Sequence, residues 1–221
     1  MKYFTEDYNK FFKDLAKNNN KEWFHSQKKR YEESVKNPLA VFVNDLIKEV
    51  QKLGKSVKVE AKDCISRINR DIRFSKDKTP YDLHFNAFVS SGGKKDKSTP
   101  GLYVRLSPEM VGIMGGSYAP EKVHLEAIRK MLAKNGKEFR SLINARSFKS
   151  KFGDIKGEQM KRVPKEFQAA AEKEPLILNK QFYYVGEEKP SLIASPDLMK
   201  TIMFFYKAMK PVNNYITKAI K

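Results

Sequence analysis

Residues 64–89 read CISRINRDIRFSKDKTPYDLHFNAFV, and across them the apolar period of the chain changes. From Cys64 the spacing shortens towards two, so that Ser66, Ile68, Arg70, Ile72 and Phe74 share one face of an extended chain and Arg67, Asn69, Asp71 and Arg73 the other. Arg70 is the odd member of its row. Residues 83–89 alternate in the same way, with Leu83, Phe85, Ala87 and Val89 opposed to His84, Asn86 and Phe88. Two strands in succession predict an antiparallel sheet. The loop GGKKDKSTPG, residues 92–101, then leads to LYVRLS, the turn Ser107-Pro108-Glu109 and MVGIMG, two more strands, and LILNKQFYYV at 176–185 is a late one.

Around this block the period is helical. Tyr8, Phe11, Phe12 and Leu15 form an apolar stripe that ends near Asn18, Asn19 and Asn20. Asn19 with Glu22 has the capping-box pattern, opening a second helix whose Trp23, Phe24, Tyr31 and Val35 turn inward. Asn37-Pro38 breaks that helix, and Pro38 begins a third, carried by Leu39, Phe42, Val43, Leu46, Val50 and Leu53 until Gly54. After the strands, Ala119-Pro120 starts a helix that stops near Asn135-Gly136, short elements follow to residue 175, and Ser195-Pro196-Asp197 opens the last long helix. Leu198, Ile202, Phe205 and Met209 give that helix its inward face before Pro211 kinks or restarts it. With no repeat and no biased linker, the expected architecture is one α+β domain over residues 1–221, an antiparallel sheet of about five strands covered by N-terminal and C-terminal helices.

Composition narrows the function classes. In 221 residues, 44 are Lys or Arg and 26 Asp or Glu, a formal charge of +18 that attracts nucleic acid, anionic surfaces or phosphorylated metabolites. Most of the cations are lysines spread along the chain, so the charge alone is as consistent with a solvated surface as with a binding footprint. Cys64 is the single cysteine, which excludes an intrachain disulfide and argues against a cysteine zinc site. No segment approaches the roughly 20 apolar residues of a bilayer span, and MKYFTEDYNKFF lacks the apolar run of a signal peptide. A cytoplasmic protein is expected, without membrane partners and with its oligomeric state open.

The stretch that decides the fold also gathers the candidate site. Arg67, Arg70 and Arg73 offer planar forks for phosphate or carboxylate; Ser75, Lys76, Lys78 and Tyr81 follow in the turn. The expected ligand is therefore an anionic small molecule or nucleic acid, bound by Arg67, Arg70, Arg73, Ser75, Lys76, Lys78 and Tyr81. The competing reading is an internal ion-pair network in which Arg70, Asp71, Arg73 and Asp77 fix the loop. The alternatives are an enzyme acting on a small phosphorylated or carboxylated substrate, with His84 and Asp77 as the candidate proton-transfer groups, and a non-catalytic interaction protein. Asp71, Asp77 and Asp82 form a poor cation site because lysines and arginines surround them, so no metal is expected, and nothing in the sequence indicates a cofactor. GIMGGSYAPE, 112–121, places paired glycines before a helix but lacks the spacing of known phosphate loops, and a bulge or tight turn is the simpler account. Lys161, Arg162 and Lys165 make a smaller basic group.

RINRDIRFSKDKTPY resembles the signature of an uncharacterised family of bacterial and fungal conserved hypothetical proteins, a domain of unknown function. The likeness runs through FFKDLAKNNNKEWFHSQKKRYEESVKNP, GLYVRLSP, GGSYAPE and MKRVPKEF. It implies a full-length single domain and no particular reaction. Asp82, Asn86 and Glu166 depart from the family pattern, which has a basic residue usual at the first and glycine common at the others.

Overall fold

The computed structural model describes residues 1–54 and 57–221. Helices α1 (Asp7–Lys17), α2 (Lys21–Ser26), α3 (Lys28–Tyr31) and α4 (Asn37–Leu53) lead to a short α5 (Ala61–Cys64). Strands β1 (Phe85–Val89), β2 (Leu102–Leu106) and β3 (Val111–Ser117) follow. Helices α6 (Lys122–Asn144), α7 (Arg146–Phe152) and α8 (Gln168–Lys173) precede strand β4 (Phe182–Glu188), and α9 (Leu198–Ile220) closes the chain. The fold is α+β.

Among the described residues the sheet has four strands, not five, in the order β1-β2-β3-β4 with every pair antiparallel. The expected strand at 64–74 does not form. Of its row, only Ile68 is buried, while Ile72 is half-buried and Phe74 lies in solvent. A segment with one apolar anchor gains too little to join a sheet. It touches the edge at the Ile65–Ala87 bridge, turns away, and pairs with the chain returning at Tyr81. Two backbone bonds, Arg70 N–H to Pro80 O at 2.9 Å and Asp82 N–H to Ile68 O at 2.8 Å, make residues 66–84 a narrow two-armed hairpin beside β1.

Proline placement produced a second departure. Asn37-Pro38 does not break the helix: Glu32–Lys36 form a π-helical turn, and helical geometry passes through Lys36 into α4. Pro38 lacks an N–H and its ring collides with the carbonyl four residues back in a regular helix; widening the preceding turn removes both problems. Pro211 likewise stays within α9. The N-cap of α2 is Asn20 rather than Asn19, its side chain accepting from Trp23 N–H at 2.9 Å. Helix α6 leaves helical geometry at Asn135, near the expected stop, and then resumes to Asn144.

One face of the sheet is sealed. Phe85, Ala87, Val89, Leu102, Val104, Leu106, Val111, Ile113, Phe182 and Tyr184 are buried beneath the helices. The Tyr8 hydroxyl of α1 donates to Leu106 O at 3.1 Å, and Phe12 meets Phe85 edge to face. From α9, the Asn213 side chain accepts from Gly116 N–H at 3.0 Å and from the Tyr184 hydroxyl, and donates to Gly101 O at 3.1 Å. Gly116 has φ +90, and a Cβ there would stand 2.0 Å from Phe182 O, so the close approach of β3 to β4 requires glycine. The opposite face carries Asn86, Phe88, Tyr103, Arg105, Met114 and Tyr183, all half-buried.

Candidate functional site

Pleating projects alternate residues of neighbouring strands to the same side. The register sets Asn86 opposite Arg105, Phe88 opposite Tyr103, and Tyr103 opposite Met114. Their side chains, with Tyr183 from β4 and Tyr118 after β3, line a hollow of about 440 Å³, which Ser66, Lys94 and Lys97 close at the hairpin end. A second, more open hollow of about 600 Å³ lies against Ser66, Arg67, Asn69, Arg70, Asp71, Asp82, Lys94 and Lys97. Ser66, Lys94 and Lys97 border both, so the two form one groove, aromatic at one end and cationic at the other.

Each cation of the groove is positioned differently. Arg105 Nη2 meets His84 Nδ1 at 3.1 Å, while its Nε and the Oδ1 of Asn86 opposite are buried without hydrogen-bond partners among the described residues. Burial, followed by the charge of Arg105, pulls the His84 pKa down to about 4. A neutral imidazole therefore accepts from the guanidinium at physiological pH. Lys94 Nζ donates to Lys62 O at 2.6 Å and Ile65 O at 2.8 Å, tying the 92–101 loop to the hairpin base without using a carboxylate. Lys97 and Arg67 have no hydrogen bond or ion pair from the side chain among the described residues. The loop backbone is fixed: Asp96 Oδ1 accepts from Ser98 and Thr99 N–H, both at 3.0 Å, and Ala119 N–H donates to Lys97 O at 3.1 Å.

The aromatic end is built from paired rings. Phe88 and Tyr103 lie 6.2 Å apart between ring centroids, and Tyr118 meets Tyr183 edge to face at 5.2 Å. Burial raises the Tyr103 pKa to about 12, so its hydroxyl remains a donor.

The sequence-predicted residues separate into two groups. Arg67 and Arg70 line the cationic hollow. Arg73, Ser75, Lys76 and Lys78 line neither hollow and belong to the hairpin tip. Arg70 Nη1 binds Asp77 at 2.6 Å and Thr79 O at 3.1 Å, with Asp82 at 3.9 Å from its Nε. Arg73 grips Asp71 through Nε at 2.9 Å and Nη2 at 2.7 Å, although the pair is largely in water. The ion-pair reading thus describes Arg70 and Arg73, and Arg67 stands outside it. Tyr81 is buried, stacked on Phe24 with centroids 4.1 Å apart, and its backbone exchanges two bonds with the Asn19 side chain, at 2.9 and 3.1 Å. Asp77 is held down to about 2, first by the Thr79 backbone amide and then by Arg70, which leaves it a weak base. Asp71, Asp77 and Asp82 turn to these arginines, and no group of three or more metal-ligating side chains occurs among the described residues. Gly115 and Gly116 border the aromatic hollow from within β3, but the Gly116 amide is already bound by Asn213. Lys161, Arg162 and Lys165 are exposed and line neither hollow.

Reasoning from sequence passed over Phe88, Lys94, Lys97, Tyr103, Arg105, Tyr118 and Tyr183. The signal was present in the alternation of FNAFV and LYVRL, which puts two aromatic rings and an arginine on the face away from the aliphatic row.

The chain belongs to the conserved hypothetical protein family DUF2461, whose model matches residues 7–215 and so takes in the hairpin, all four strands and both hollows. No curated protein matches the chain at a significant level. No helix among the described residues is long and apolar enough to cross a membrane.

Proposed function

We propose that this protein binds a phosphate-bearing ligand with a planar ring, of the nucleotide type, in the groove on the open face of its sheet. The carrying observation is the union of four aromatic residues, Phe88, Tyr103, Tyr118 and Tyr183, with Arg105, Lys94 and Lys97 around one hollow that continues to Arg67. Rings supply stacking surface for a base; guanidinium and ammonium groups answer the phosphate. Ligand sites of this kind are concave, largely apolar and served by a few fixed polar groups.

This reading keeps the anionic ligand expected from the arginine-rich stretch and moves its centre. Arg67 retains its role, Arg70 borders the site while braced by Asp77, and Arg105 becomes the principal anion contact. A proton-transfer role for His84 or Asp77 has less support, since both are weak bases near neutrality and each already has a hydrogen-bonded partner.

The test is thermal stabilisation by nucleoside monophosphates, set beside the nucleoside, ribose 5-phosphate and inorganic phosphate, in the wild type and in Arg105→Met. A ligand at 100 times its Kd adds about 2.7 kcal/mol, which at about 2–4 °C per kcal/mol raises Tm by roughly 5–11 °C in a domain of this size. Monophosphates should give the largest shift and Arg105→Met should abolish it. No shift with any phosphate compound, or equal shifts in the variant, overturns the proposal.

A further inference from the structure

Phe74 is 94% exposed, more than any other large apolar side chain in the described residues. It sits at the tip of the 66–84 hairpin, flanked by the exposed Arg73 and Lys76, with the Arg73 guanidinium 5.8 Å from the centre of its ring. The tip is built, not slack. Its polar groups bind one another: Arg70 to Asp77 and Thr79, Asp71 to the Arg73 backbone at 3.3 Å, Thr79 N–H to Asp77 at 2.9 Å, and Lys78 Nζ to Ile72 O at 2.9 Å. Every one of these contacts leaves the Phe74 ring outside. The base of the hairpin is clamped by Asn19 and by the Phe24–Tyr81 stack. A phenyl ring held in water contributes nothing to the core and is free to touch what lies outside the chain.

Arg70 and Asp71 line the cationic hollow, and Phe74 follows three residues later, at most about 10 Å along the chain. The aromatic hollow joins the cationic hollow, and the aromatic tip lies within that chain length of the residues lining it. We propose that the ligand is a single strand of nucleic acid several nucleotides long: one base stacks among Phe88, Tyr103 and Tyr118, the backbone runs past Lys97, Lys94 and Arg67, and a further base stacks on Phe74. The proposal rests on the nucleotide-type reading of the same groove and names its substrate class. Alternating aromatic platforms and cations are the arrangement that single strands require, because each base offers a ring face and each link a negative charge. A duplex hides its base faces and cannot enter the hollow. An anionic bilayer presents a flat surface that reaches Phe74 and leaves the recessed rings idle. The formal charge of +18 adds attraction for a polyanion.

The experiment measures anisotropy of labelled uridine oligonucleotides of one to ten residues at several salt concentrations, with duplex RNA of equal length and phosphatidylserine vesicles as competitors. Wild type, Phe74→Ala and Phe74→Trp are compared. Affinity should climb with length until the groove and tip are spanned, and the log–log salt slope should approach about −0.7 per phosphate contacted. Phe74→Ala should weaken the longer oligomers about 5- to 100-fold, as expected for one stacked base, leave uridine monophosphate unchanged, and be rescued by Phe74→Trp. Since Phe74 lies in solvent, the variant should fold with unchanged Tm. Affinity independent of length, or an alanine variant equal to wild type on long oligomers, overturns the strand proposal while monophosphate stabilisation preserves the groove reading. Stronger binding of duplex or of vesicles also overturns it. Failure of both oligomer and monophosphate removes the two readings together.

Discussion

The His84–Arg105 contact makes a pH prediction that can be worked through with a sign. Burial and the Arg105 charge lower the His84 pKa from the usual value near 6.5 to about 4, the more distant Glu109 opposing weakly. In the unfolded chain His84 takes up its proton as pH falls below about 6.5; in the folded protein it resists until about 4. Between those values the unfolded state binds more protons, so stability falls as pH falls and is fully present above about pH 6.5. At pH 5 the full shift is worth about 2 kcal/mol, and because the groove admits solvent on one side, screening reduces this to about 1 kcal/mol. The perturbation is His84→Gln, which keeps a neutral acceptor for Arg105 and does not titrate. Urea denaturation of both proteins at pH 7.5 and 5.0 cancels the contributions of Asp82, raised by burial, and of the other acids. Wild type should lose about 1 kcal/mol more than the variant, or about 2–4 °C in melting temperature. Parallel pH profiles, or a His84 imidazole that titrates near 6.5 by NMR, refute the reasoning. Binding reverses the direction: a phosphate beside Arg105 favours imidazolium, so saturating nucleotide should raise the His84 pKa towards its ordinary value.

Two further outcomes concern the hairpin. Asn19→Ala removes both bonds to the Tyr81 backbone and leaves part-buried amide groups unpaired; the cost is about 1–3 kcal/mol, read as a fall in Tm and as faster hydrogen exchange at the Tyr81 amide. Arg73→Ala removes an exposed pair with Asp71, whose side chain keeps its acceptor role for the Arg73 backbone, and an equally exposed contact with the Phe74 ring. Its Tm should therefore match wild type, and because Arg73 lines neither hollow the salt slope for oligonucleotides should stay unchanged, whereas Arg67→Ala should lower it by about 0.7.

The helices and the four strands were legible because burial selects their faces, although the late strand expected at 176–185 begins only at Phe182, after a 3-10 turn at Pro175–Leu178. Tyr8, Phe11, Phe12 and Leu15 are all buried in α1, as are Leu198, Ile202, Phe205 and Met209 in α9. Alternation likewise picked the inner face of β1 and β2. What failed was reading alternation as sufficient. Residues 64–74 alternate, yet Arg70 prefers Asp77 and Thr79 to a place in a sheet, and local polar bonds won over pairing. At Pro38 a propensity rule met a helix with Leu39, Phe42, Val43 and Leu46 to bury, and packing won by altering one turn. The site was half-legible for a different reason. Sequence locates Arg67 and Arg70 together, but only the register brings Asn86 to Arg105 and Phe88 to Tyr103, and only the topology returns Tyr183 to β3 from beyond three helices.

Counting cations does not separate paired arginines from free ones. In the signature stretch the aspartates consume what the arginines offer: Asp71 holds Arg73, and Asp77 with Asp82 holds Arg70. Their joint effect is to stiffen a hairpin, and the near balance of charge there is the reason it can keep a fixed shape. The cations that remain available, Arg67, Lys97 and Arg105, come from three separate segments and lack carboxylate partners in the described residues. Arg105 is the most telling. Desolvating a guanidinium on this face of the sheet, with one neutral acceptor and an Nε unpartnered among the described residues, costs stability that an aliphatic residue on β2 would not forfeit. Such a residue makes physical sense where a ligand returns the missing negative charge, which is the reason the proposed site is centred on Arg105.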